Sequence, residues 1–217
     1  MGDSGDLPNH YLLNPILSDM LRLVKQHQVL DLGCGSGRWT KILAQKYDQI
    51  TGIDNSLNML KIAQEKRSAP NIVYKKVNVE ELLPFADESF NFIFSNMVMH
   101  YLADIETIAK ELYRILKPNC LLLFSTQHPR FDIARYNSLK DIPNRFKFQT
   151  RFLKGKVILT RFYEPLSLFI THFTKAGFIL EAQKEAVITA EFAKIYPKYG
   201  KYIGYPRFVV FKFSKPT

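Results

Sequence analysis

The sequence predicts an α/β fold, a mostly parallel sheet covered on both sides by helices, and two features predict it. Short apolar runs of strand length alternate with stretches of helical period along residues 28–125. The first of those runs breaks into three glycines on alternate positions and then a helical stretch, the strand–turn–helix unit of doubly wound sheets. At 217 residues and 47% hydrophobic content, the chain has enough apolar material for one domain with an ample core.

Taken in order, residues 1–10 carry no periodicity. Asn14 is placed to cap a helix with Pro15 in its first turn, running to about Gln26 with Ile16, Leu17, Met20, Leu21 and Val24 on one face. Strands are expected near 28–32, 49–53, 72–77, 90–95 and 120–125. Helices are expected near 38–47, 56–67 and 104–116, with Ser56 capping the second and Pro118 beyond the third. After Ser125 the pattern turns irregular, and residues 127–163 interleave Arg and Lys with Phe and Tyr. A hairpin is expected there, 147–153 with 157–162, turning at Lys154-Gly155-Lys156. Residues 166–176 read as a helix ended by Gly177, and 178–185 and 207–213 as two closing strands.

The chemistry concentrates in VLDLGCGSGRWT, residues 29–40. A glycine turn lets the backbone adopt φ > 0 and approach a ligand with no Cβ in the way, and the helix behind it points unpaired N–H groups into the same space. Spacing narrows the ligand. A dinucleotide fingerprint needs its third glycine at position 38, which is Arg, and no Gly-Lys-Ser/Thr follows to make a phosphate-binding loop. The pattern is instead Asp31-x-Gly33-x-Gly35-x-Gly37.

That motif resembles the first motif of the class I S-adenosylmethionine-dependent methyltransferases, and three more stretches resemble the family in order. Asp54 ends the second strand, where an acid can accept from both ribose hydroxyls. VNVEELLPFADESFNFIFSNMVMHYL, residues 77–102, resembles the stretch beside the adenine and its LPF-x-D/E-x-S-F connection. ELYRILKPNCLLLFS, residues 111–125, resembles the E-x-x-R-x-L-K-P-G-G-x-L block, with Asn119-Cys120 in place of Gly-Gly; Asn tolerates a left-handed turn. The resemblance covers residues 28–126 and is closest to the ubiquinone- and menaquinone-biosynthesis group of small-molecule enzymes.

The resemblance implies a Rossmann-like, seven-stranded sheet with an antiparallel last strand. It implies a single domain: a cap helix in 1–27, a cofactor-binding core in 28–126, a basic and aromatic lid in 127–163, and a closing helix and strand pair in 164–217. S-adenosylmethionine is the implied cofactor and S-adenosylhomocysteine the product. The implied cofactor residues are Asp31, Gly33, Gly35, Gly37, Asp54 with Asn55 beside it, Asn78 (where the family has Asp) and Val79 for the adenine, Ser95 and Asn96 at the fourth strand's tip, and Tyr11 as a lid or a packed aromatic. His128 and His100 follow the fifth and fourth strands and are the candidates for a general base or acceptor-orienting group. Arg145, Lys147 and Arg151 are the candidates for contact with the acceptor.

The net charge of +10 is unevenly spread. Residues 1–129 sum to −1 and 162–191 to −2, while 130–161 carry +7 and 192–217 carry +6. The basic excess lies where the acceptor is recognised and suits an anionic small molecule, or else only a solvated surface. The second reading is an RNA methyltransferase of the transfer-RNA wobble-uridine type, since basic residues among aromatics also suit RNA. The third is a cofactor-binding scaffold without transfer activity. The Asn/Asp-Pro-Pro-Tyr motif of amino-group methylation is absent after the fourth strand, as is the Pro-Cys nucleophile of cytosine C5 methylation. No metal-ligand cluster stands out. Cys34 and Cys120 are not placed for a disulfide, there is no long apolar run or leader, and the myristoylation pattern fails at Asp6, so a cytoplasmic, membrane-free protein is expected.

Overall fold

The computed structural model describes residues 7–21, 27–136, 146–152 and 157–217. Strands β1 (Gln28–Leu32), β2 (Gln49–Asp54), β3 (Ile72–Lys76), β4 (Phe90–Asn96) and β5 (Leu116–Gln127) pair in parallel. β8 (Ile179–Val187) and β9 (Pro206–Lys215) complete a seven-stranded sheet of order β3-β2-β1-β4-β5-β9-β8, in which β9 runs antiparallel to both neighbours. This is the doubly wound, mostly parallel sheet with an antiparallel last strand that the sequence implies. β6 (Phe146–Phe152) and β7 (Val157–Tyr163) form a separate antiparallel pair, as expected; the turn at 154–156 lies outside the described residues.

The two faces are readable in the alternation along β1, β4, β5 and β9. Leu30, Ile93, Leu122, Phe124, Val209, Phe211 and Phe213 bury against α4 (Ile105–Ile115) and α6 (Leu166–Lys175). Their neighbours Val29, Phe92, Phe94, Leu123, Phe208 and Val210 bury on the opposite face, against α1 (Asn14–Leu21), α2 (Arg38–Leu43) and α7 (Ala190–Ile195). Period-two alternation with both faces apolar requires helices on both sides. On the first face the Phe173 ring stacks on Phe124 and Phe213 at 4.9 and 5.0 Å. α3 (Leu57–Arg67) starts at Ser56, whose hydroxyl accepts from the Met59 N–H at 3.4 Å.

Three elements differ from expectation. Asn14 is not a cap: residues Asn9–Leu13 form a π-helical turn that continues into α1, and Asn14 lies inside it at φ −59° and ψ −38°. Its N–H reaches back to the Asn9 carbonyl; Pro15, with no N–H and a ring that crowds the preceding turn, accounts for the widening. Residues 22–26, the expected end of that helix, are outside the described set. α2 closes four residues early, with the Leu43 carbonyl taking the N–H groups of both Lys46 and Tyr47. α5 (Pro129–Tyr136) stands where an irregular segment is expected. Asn119 does adopt the left-handed conformation, at φ 58°.

The two later motifs are parts of one contact. Arg114 donates to Glu111, to Asp87 and to the carbonyls of Leu83 and Phe85, at 2.8–3.1 Å. Glu111 in turn accepts from the Leu83 N–H at 3.1 Å. The E-x-x-R pair on α4 thus clamps the LPF-x-D connection that leads into β4.

Candidate active site

The crevice lies at the carboxyl ends of the parallel strands, where the order reverses between β1 and β4. Gly33 follows β1, Asp54 ends β2, Asn78 follows β3 and Asn96 ends β4. Gly33 has φ 69°, and a Cβ there would lie 2.3 Å from Val98, so this turn admits no side chain. Gly35 has φ 55°, and a Cβ there would meet nothing within 4 Å: the turn opens onto free space at the strand tips. The Gly35 N–H donates to Asp54 Oδ2 at 2.8 Å, and the Ser56 N–H donates to Asp54 Oδ1 at 2.8 Å. Two backbone bonds therefore hold the half-buried Asp54 carboxylate beside the glycine turn, with lone pairs left for hydroxyl donors. Gly37, at φ 80°, caps α2, and Asn55 is exposed next to Asp54.

Asp31 sits beneath the turn at 1% exposure and accepts from Thr40 Oγ1 at 2.6 Å. Burial, aided by the nearby Asp54 charge, pushes its pKa up to about 7. Asp31 therefore shapes the turn from below. Ser95 is fully buried and ties β4 to β1 through the Leu32 carbonyl at 3.0 Å, so its side chain faces the sheet. Asn96 accepts from the Ser125 hydroxyl at 2.7 Å. Asn78 is occupied locally: its carbonyl oxygen accepts from the Glu80 N–H at 3.2 Å and its amide donates to Glu81 at 2.8 Å. Val79 is buried at 8% exposure. Tyr11 is 45% exposed and packs edge-on against Tyr196, with ring centres 5.9 Å apart. The same helical segment reaches α2, since the Asn14 side-chain amide lies 3.0 Å from the Arg38 guanidinium.

The two histidines differ. His128 has both ring nitrogens engaged, Nδ1 accepting from the Arg130 N–H at 3.1 Å and Nε2 facing Glu185 at 3.2 Å. It caps α5, and its pKa is lowered by burial despite the Glu185 charge. His100 is 3% exposed, with Nδ1 on the Thr126 hydroxyl at 3.1 Å and Nε2 without a partner. Burial, reinforced by Arg161 and Arg207, holds its pKa well below the usual value, so it is neutral at physiological pH.

Sequence reasoning missed the groups around His100. Arg161 on β7 and Arg207 on β9 are 3% and 7% exposed, and Arg161 pairs with the buried Asp132 of α5 at 2.8 Å. Arg207 bonds the Gln127 side chain and lies over the Phe131 ring at 4.3 Å. β7 packs on the short 3-10 helix Met99–Tyr101 that carries His100, which puts the hairpin over the β4 and β5 ends. An Arg leading an otherwise apolar strand, as in RFVVF at 207–211, was the available signal; Pro129 at a helix's first position was the signal for α5. Of the residues expected to meet the acceptor, Lys147 is exposed on β6, while Arg145 and the Arg151 side chain lie outside the described residues. No group of three His, Cys, Asp or Glu among the described residues could hold a metal, and no described helix is long and apolar enough to cross a membrane.

Residues 30–124 match the family model described as a methyltransferase domain. Among curated proteins, the chain is 33% identical over 103 residues to malonyl-[acyl-carrier protein] O-methyltransferase of Hamiltonella defensa, covering 48% of this chain and 39% of that protein. It is also 33% identical over 105 residues to demethylmenaquinone methyltransferase of Listeria welshimeri, covering 46% and 44%. The match thus spans about two fifths of these relatives' length. A putative S-adenosylmethionine-dependent methyltransferase from Listeria monocytogenes superposes with a TM-score of 0.80 over 94% of this chain and 96% of that one, at 24% identity. A second, from Mesorhizobium loti, gives 0.74 over 98% and 99%, at 20% identity.

Proposed function

We propose that this chain, a class I S-adenosylmethionine-dependent methyltransferase by family, transfers a methyl group to a small, anionic acceptor. The observation that carries the reading is the tie between the Gly35 N–H and Asp54 at the sheet's reversal point, which builds an open cradle with a fixed hydroxyl acceptor. The residues present fit the cofactor: free space at Gly35 where a Cβ would intrude, a held carboxylate for the ribose, and partly buried Asn78 beside Val79 for the adenine. S-adenosylmethionine, when bound, supplies an electrophilic methyl on a sulfonium.

The chain's own part is to position. The glycine turn and Asp54 fix one side of the crevice, and β7, packed on the Met99–Tyr101 turn, stands on the other. Holding a nucleophile in line with the methyl can be worth up to roughly 7–11 kcal/mol. His100 offers its unpartnered Nε2 to the acceptor, and its lowered pKa suits it to hydrogen bonding better than to storing a proton. The relatives' acceptors, a malonyl-[acyl-carrier protein] and a demethylmenaquinone by name, are small-molecule or carrier-linked groups.

A second reading, RNA methylation, draws on Lys198 and Lys201, whose ammonium groups lie over Tyr199 and Tyr202 at 5.3 and 5.0 Å. One assay separates the two. With methyl-labelled S-adenosylmethionine, label is expected in a member of a small-carboxylic-acid panel and not in bulk transfer RNA. Label in transfer RNA alone would overturn the small-acceptor reading.

A further inference from the structure

At the acceptor end of the crevice the protein buries two guanidinium groups against one carboxylate. Among the described residues, Asp132 is the only acid in the cluster of Arg161, Arg207 and His100, and it bonds Arg161 alone. The Nε of Arg161, the Nε of Arg207 and Nε2 of His100 are all buried with no hydrogen-bond partner. Buried donors are nearly always paired, and a buried charge without a counter-charge is strongly disfavoured. Two unpartnered arginine donors, an unpartnered histidine nitrogen and an excess of positive charge are gathered there.

We propose that Arg161, Arg207 and His100 form a carboxylate-binding subsite that holds a single acid group of the acceptor next to the methyl-transfer crevice. The proposal rests on the methyl-transfer reading for its purpose and names the substrate class within it. Arg135 also acts on Asp132 and Arg207, so the Arg161–Asp132–Arg207 set lies in a net positive field that an acid group offsets. The planar guanidinium fork also matches a carboxylate in shape. In the tautomer where the Thr126 hydroxyl donates to His100 Nδ1, 3.1 Å away, Nε2 carries the proton and becomes a third donor. Beside the cluster, Phe131, the ring under Arg207, is also one wall of a cavity of about 220 Å³ lined by Arg135, Lys198, Tyr199, Lys201 and Tyr202. Positive charge there draws an anion towards the buried pair.

Acetate is the probe, since it makes no demand on the rest of the acceptor's shape. The arginine Nε–H resonances of the full chain, assigned through Arg207→Met and Arg161→Lys, are followed on titration with acetate, acetamide, inorganic phosphate and matched sodium chloride. Saturable shifts at both resonances with acetate are expected, with none from acetamide or chloride. Arg207→Met leaves the Arg161–Asp132 pair intact and so keeps the fold, and it is expected to weaken acetate by about tenfold or more. Unmoved resonances under acetate, equal response to acetamide, or response to phosphate alone would overturn the proposal, and once the two resonances are assigned the wild-type titration decides this by itself. S-adenosylhomocysteine added to the same samples reads the other crevice. Acetate binding without it leaves the subsite standing and removes the methyl-transfer reading, and the converse result removes only the subsite.

Discussion

At the scale of single residues, Asp31 shows how one side chain can matter to a site it does not enter. Its carboxyl is buried under the glycine turn, and its pKa is pushed up to about 7 against 3.8 in the unfolded chain. The folded state therefore keeps a proton that the unfolded state releases. Stability from this group is complete below about pH 4, falls as pH rises to about 7, and is level above that. Asp31→Asn, which cannot ionise, is expected to lack this decline, on the order of a few kcal/mol. Urea unfolding from pH 4.5 to 7.5 checks it: the wild type should lose ground steadily against the variant, and a constant difference would contradict the assignment. Asp31, the glycines and Asp54 were legible in the sequence because their spacing alone defines a backbone shape. Arg161, Arg207 and Asp132 were not, because they meet only when three distant segments fold onto the ends of β4 and β5.

At the scale of elements, the two family-like motifs at 83–90 and 111–118 are joined by one arginine. Arg114→Ala removes every bond between α4 and the connection into β4 that Arg114 makes, and it leaves Glu111 facing the Leu83 N–H without its cation. A loss of about 2–4 kcal/mol in chemical unfolding is expected, with the α/β circular dichroism retained. A loss below about 0.5 kcal/mol would reduce the clamp to an ordinary surface pair. The helices of the core were readable from their period, and the central strands as short apolar runs, since β1, β4, β5 and β9 bury both faces. The N-terminal start was misread because a π turn ahead of Pro15 leaves no mark in side-chain pattern. α5 was missed because its short, charged sequence, PRFDIARY, shows little apolar periodicity.

At the scale of the molecule, charge and fold are divided in the same way. The near-neutral first 129 residues build the glycine turn and the strand tips, and the two basic segments supply the hairpin, α5 and β9. Each basic segment sends one arginine, Arg161 or Arg207, into the buried cluster, so part of the excess charge is buried in the fold and not exposed to solvent. The central claim is that the cradle takes S-adenosylmethionine. Calorimetric titration of the purified chain with S-adenosylmethionine and, separately, with NAD tests it most directly. The account predicts micromolar binding of the first, no binding of the second, and at least about tenfold weaker binding in Asp54→Ala, which removes the carboxylate assigned to the ribose hydroxyls in the proposed reading. Binding of NAD instead, binding of neither, or wild-type affinity in Asp54→Ala would contradict it.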